Sequence, residues 1–137
     1  MSEDTSLNAL NPLFAEWGIE NPMRVSFDAL RAHVEALENV ELSANARPGV
    51  SWSLRVKAAG SERPFYAMVD VVDDDPSERW LSVCFYDDVT DDTEERGDWI
   101  PGGLSGQDAR CFNIEEPDDE FVAYVANQLT IGRDKSV

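Results

Sequence analysis

The chain is short of cations, of cysteine and of histidine, and each shortage excludes something. It has two cysteines, Cys84 and Cys111, one histidine, His33, and two lysines against nine arginines. Two cysteines cannot form a disulfide scaffold, and two cysteines with one distant histidine do not make a zinc set. No run of about 18 apolar residues is present, so no membrane span is expected. The start, "MSEDTSLNAL", is acidic and has neither the basic nor the apolar region of a signal peptide. These absences predict a cytoplasmic protein whose cysteines are buried, unreactive thiols. No metal and no cofactor is expected.

What is present in excess is negative charge. The net charge is −17 over 137 residues, and it is unevenly spread. Residues 70–120 hold eighteen acids against Arg79, Arg96 and Arg110, a net of −15, whereas residues 21–69 and 121–137 are each +1. A field of this sign repels phosphate backbones and anionic lipid, so direct nucleic-acid and membrane binding are not expected.

The length predicts a single domain, placed at residues 12–132, with residues 1–11 as a mobile tail and 133–137 as a second tail. "NPLFAEWG" predicts a short helix with Asn11 as cap and Gly18 at its end. "SFDALRAHVEALEN" predicts a longer one capped by Ser26, with Phe27, Leu30, Val34 and Leu37 on one apolar stripe. "VSWSLRVKA" alternates as a half-buried antiparallel strand, with "VELSA" before it. "FYAMVDVV" is apolar on both faces except at Asp70 and reads as a central strand. "RWLSVCFY" and "ARCFNIE" supply two more. "PDDEFVAYVANQLTIG" predicts a final helix with acids at its positive end and Gly132 as its stop. Trp52, Trp80 and Phe85 are expected in the core. The order predicts an α+β fold: an antiparallel meander flanked by N- and C-terminal helices as a two-layer sandwich.

This order, with "DWIPGGLSGQDARCFNIEEPDDEFVAYVANQL", resembles the small YjbR-like domains and their YdhG-like relatives over about residues 26–131. In those a Pro-Gly turn leads to a last strand, a short acidic cap and a C-terminal helix. Pro101 and Gly102 match the turn, Ala109 to Glu115 the strand, and Asp118 to Leu129 the helix. The family carries basic and aromatic residues after that turn and is often labelled DNA-binding; Ser105, Gln107 and Asp108 stand there in this chain. The fold also resembles that of secretion chaperones, small acidic proteins that bind protein segments.

"FYDDVTDDTEERGDW", residues 85–99, packs seven carboxylates between aromatic anchors. It is not a calcium loop, because starting at Asp87 or Asp88 puts Asp92 or Thr93 where the sharp turn needs glycine. Thr90 is expected to cap one local turn closed by Gly97. "GGLSGQ" lacks the Lys-Ser/Thr of a phosphate loop and misses the nucleophile elbow by one glycine, so it reads as a loop crossing a sheet edge. Asp70 is the one acid inside an apolar strand, expected to face solvent or to pair with an arginine such as Arg55. No nucleophile, base and orienting group assemble around it or around His33.

The sequence therefore predicts a non-enzymatic, adaptor- or chaperone-like module that binds a basic or amphipathic protein segment. Its contact residues are Asp87, Asp88, Asp91, Asp92, Glu94, Glu95, Asp98, Trp99 and Ile100. Two alternatives stand beside it. One is a nucleic-acid mimic, which requires the acids on a continuous ridge. The other is a small-ligand or enzymatic pocket near Asp70, Trp99 and Ser105.

Overall fold

Alternation along the strands decides which side of the sheet is buried. The structure is a computed structural model describing residues 5–136. Six strands, β1 (Val40–Arg47), β2 (Ser51–Ala58), β3 (Ala67–Val72), β4 (Trp80–Tyr86), β5 (Asp98–Leu104) and β6 (Gln107–Ile114), form one antiparallel sheet in the order β1-β2-β3-β4-β6-β5. Leu54 and Val56, Val69 and Val71, Leu81, Val83 and Phe85, and Phe112 and Ile114 alternate onto one face and are buried there. Helices α1 (Asn11–Glu16), α2 (Pro22–Ala36) and α3 (Asp119–Lys135) complete that core with Leu13, Phe27, Leu30, Val34, Val125 and Leu129. The fold is α+β, with "FYAMVDVV" supplying the central β3 as its apolar composition predicted. No helix among the described residues is long and apolar enough to cross a membrane.

Several elements depart from expectation, each for a local reason. Helix α2 starts five residues earlier than Ser26 implied. Asn21 accepts from the amides of Met23 and Arg24, Pro22 takes the first helical position, and Ser26 is buried within the helix. Helix α1 begins at Asn11 rather than being capped by it, after a 3₁₀ turn at Leu7–Leu10. Leu10 is buried and the Thr5 carbonyl accepts from the Ala44 amide, so the part of the expected N-terminal tail within the described residues is docked. Residues 1–4 and 137 of the expected tails lie outside the described residues.

At the other end α3 runs through Gly132 to Lys135. Gly132 is a packing residue: a Cβ there would lie 2.7 Å from the Tyr66 ring, whose hydroxyl donates to the Leu129 carbonyl at 2.8 Å. His33 is likewise structural, its Nε2 2.8 Å from Thr130 Oγ1 where α2 meets α3.

Three corrections concern the sheet. The glycine-rich segment is strand β5, not a loop. Ser105 and Gly106 both have positive φ and join β5 to β6 as a two-residue hairpin, while Pro101 and Gly102 lie within β5 at an irregularity in its register. The turn that the family resemblance placed at Pro101–Gly102 is thus at Ser105–Gly106. Cys84 and Cys111 are not free thiols: they are cross-strand partners on β4 and β6 and form a disulfide. With the two cysteines 27 positions apart, the bridge restricts the unfolded chain by an entropy worth about 3–4 kcal/mol. Trp80, expected in the core, is only half-buried on the face without helices.

A buried ion pair ties α1 to the sheet. Arg79 donates to Asp73 and to Glu16, and the Trp52 indole donates to Asp73 at 2.8 Å. Both members of the Arg79–Asp73 pair are buried. Removing one leaves an uncompensated charge, so Asp73→Ala is expected to lower unfolding free energy by about 3–5 kcal/mol in urea titrations, and Arg79→Met with Asp73→Leu by much less.

Candidate functional site

Asp92 organises the acidic segment after β4. Asp87–Val89 form a 3₁₀ turn, and the Thr90 hydroxyl donates to the Asp87 carbonyl. The expected turn from Thr90 to Gly97 is replaced by a loop wrapped around one carboxylate. Asp92 accepts from the Arg96 amide at 2.9 Å, the Gly97 amide at 2.8 Å, the Tyr124 hydroxyl at 2.6 Å and Arg110 at 3.2 Å. Its side chain is 2% exposed. Burial opposes the ionised form, but these donors outweigh it and hold the Asp92 pKa below the ordinary carboxylate value. The loop also reaches α3 through Gln128, which bonds the Asp91 amide and carbonyl, and through Arg96, which pairs with Glu120 and covers the Phe121 ring. Gly97 has no room for a side chain, since a Cβ would meet Arg110 and Phe112 at 2.9 Å.

The nine predicted contact residues divide accordingly. Asp87 and Asp92 are bound to Arg110, and Asp88 is held by both terminal nitrogens of Arg63 at 2.8 Å. The Arg63 hydrogen bonds keep the Asp88 pKa low. Asp91, Glu94, Glu95 and Asp98 are exposed and, among the described residues, form no ion pair. Trp99 and Ile100 are 56% and 40% exposed on β5. As successive strand residues they point to opposite faces, Trp99 beside Arg110 and Ile100 beside Ala109. With Asp92 buried and Asp87 and Asp88 paired, the segment is not the continuous ridge that a nucleic-acid mimic requires.

Two features of this edge escaped sequence reasoning. Glu115, read as the end of the last strand, Glu116 and Asp118, read as a helix-start acid, line an open groove of about 490 Å³ with Asn113 and Phe121. Asp118 is occupied in capping α3, accepting from the Phe121 amide at 3.1 Å. Glu115, Glu116 and Asp119 are exposed and form no ion pair among the described residues, and the Arg96–Glu120 pair joins this groove to the loop. The second feature is the edge itself, whose signal was the Ser-Gly dipeptide of a hairpin. As an edge β5 is blunted: Pro101 has no amide donor and Gly102 has φ +66.

Asp70, Trp99 and Ser105 do not share a cavity among those described, which lie elsewhere. Asp70 instead faces away from the helices beside Ser53 and Ser82, and burial pushes its pKa up against the opposing Ser53 hydroxyl and Arg55 guanidinium. Among the described residues no three metal-ligating side chains converge. No protein-family model matches the chain, and neither a curated protein nor a solved structure gives a match.

The two perturbed carboxylates predict opposite pH responses. Asp92 stabilises the fold where it is ionised in both states, above about pH 4, and that contribution disappears as pH falls through its lowered folded pKa. Asp92→Ala is expected to cost about 3 kcal/mol at pH 7, less in acid, and to speed hydrogen exchange at the Arg96 and Gly97 amides. Asp70 has the raised pKa, so its ionisation destabilises as pH rises above about 4. Asp70→Asn should melt higher than wild type at pH 7 and with it near pH 3.

Proposed function

We propose that the chain is a non-enzymatic protein-binding module whose acidic edge captures a basic, amphipathic polypeptide segment. The observation that carries this reading is the set of exposed carboxylates without ion pairs in the loop that leads into an edge strand with exposed apolar residues. Asp91, Glu94, Glu95 and Asp98 are exposed there, Trp99 is exposed on one face of β5 and Ile100 on the other, and the Glu115–Glu116 groove adds exposed acids after β6. A segment that alternates cationic and apolar residues matches both halves of that pattern. The charge would speed encounter and exclude anionic competitors, while Trp99 would supply contact area. The resemblance in fold to secretion chaperones, small acidic proteins that bind protein segments, points the same way.

A cytoplasmic location is part of the proposal, and the Cys84–Cys111 bridge bears against it, because reducing compartments keep most protein thiols free.

The test is a titration with a short peptide of alternating lysine and leucine, followed by calorimetry. Affinity is expected to fall steeply as NaCl rises from about 0.05 to 0.5 M. Neutralising the edge with Asp91→Asn, Glu94→Gln and Glu95→Gln together should weaken binding by about ten-fold or more, and Trp99→Ala should weaken it at every salt concentration. Glu38→Gln and Glu62→Gln, away from the edge, should not. Equal affinity for the edge triple variant would reject the reading.

A further inference from the structure

The sheet face opposite the helices is covered only at one end, where Phe65 and Arg63 of the β2–β3 connection lie over Tyr86, and its charge differs from the rest of the molecule. Alternation places Glu41, Asp70 and Asp98 on it against Arg47, Arg55 and Lys57. One face of a chain with net charge −17 is thus neutral. Every other arginine is ion-paired with a carboxylate, but among the described residues Arg47 and Arg55 form no ion pair, although the chain has 28 acids. Arg55 Nε, Ser53 Oγ and Asp70 Oδ1 are buried on this face without a well-formed hydrogen bond, although Ser53 stands opposite Asp70 and the Arg55 guanidinium lies 5.4 Å from the Phe65 ring. Buried polar atoms ordinarily find partners. Half-buried Met68, Val72 and Trp80 lie among them.

We infer that this face is the contact between two copies of the chain, packed sheet on sheet about a two-fold axis parallel to the strands, between β3 and β4. Charge selects the occupant. A cationic partner is drawn to the acidic edge, whereas a neutral patch is where two strongly negative bodies meet with least repulsion. Charge also selects the axis. Rotation about it lays β3 over the second copy's β4 and β2 over its β6, with the sheets about 10 Å apart. An axis across the strands would set β2 on β2 and the unpaired arginines against each other.

The register then sets the rows of the two copies over one another. Asp70 and Ser82 are cross-strand neighbours, so each Asp70 comes over Ser82 of the second copy. Arg55, Met68, Cys84, Cys111 and Asp98 form one row. Arg55 therefore lies over Cys111 of the second copy, one strand spacing of about 4.8 Å from its Asp98, a gap that an arginine side chain spans. Within one copy the same two residues are four strand spacings apart, about 19 Å, and cannot meet.

Sedimentation equilibrium of the full chain in about 0.5 M NaCl, which screens the long-range repulsion, is expected to give twice the 15.3 kDa chain mass. Arg55→Glu or Asp98→Arg alone should raise the dissociation constant about ten-fold or more, and the double variant should recover to within about three-fold of wild type. Circular dichroism checks folding. Asp98 is exposed on an edge strand, so Asp98→Arg stays readable even where Arg55→Glu does not fold. A wild-type chain that remains at 15.3 kDa up to about 1 mM overturns the inference, as does a double variant no tighter than the single ones. Mass and peptide affinity are separate readouts, so failure of one proposal leaves the other standing.

Discussion

A shortage of cations governs how this chain orders its acidic half. Eleven lysines and arginines serve 28 carboxylates, and most arginines are committed to contacts that join distant parts of the chain. Arg79 ties α1 to the β3–β4 connection, Arg110 gathers Asp87 and Asp92, and Arg63 holds Asp88 from the β2–β3 loop. Without such contacts a segment as acidic as residues 87–98 would repel itself into disorder. Asp92 does the most, because four donors converge on one buried carboxylate and fix the path of the loop from β4 to β5.

The same allocation separates the charges available to a partner from those that are not. Three of the seven carboxylates in residues 85–99 are held by arginines and belong to the architecture. The exposed remainder lies in the loop that leads into the β5 edge, and the Glu115–Glu116 groove adds exposed acids after β6. The opposite arrangement holds on the sheet face without helices, where charges balance and buried polar atoms lack a well-formed hydrogen bond. Edge and face are therefore chemically distinct surfaces on one small sheet.

Much of the fold was legible because alternation and helical periodicity are local. "VSWSLRVKA" had to bury Trp52, Leu54 and Val56 on one side, and the Phe27–Leu30–Val34 stripe had to face a core. The misreadings arose where one residue type serves two purposes. Gly132 reads as a helix stop, yet it is the gap into which the Tyr66 ring fits. Ser26 reads as a cap, but Asn21–Pro22 outcompetes it. The β5 edge looked like a loop because proline and glycine sit where a protected edge strand needs them.

The sequence by itself determined the fold class and the placement of the negative charge along the chain, since each follows from composition or short-range pattern. Only the tertiary structure decided which carboxylates are free, that Cys84 meets Cys111, and that Asp70 lies beside Ser53 on the face without helices. Those outcomes depend on strand order and register. Residues 23 to 97 positions apart are brought within hydrogen-bonding or bonding distance by pairings that no local pattern encodes.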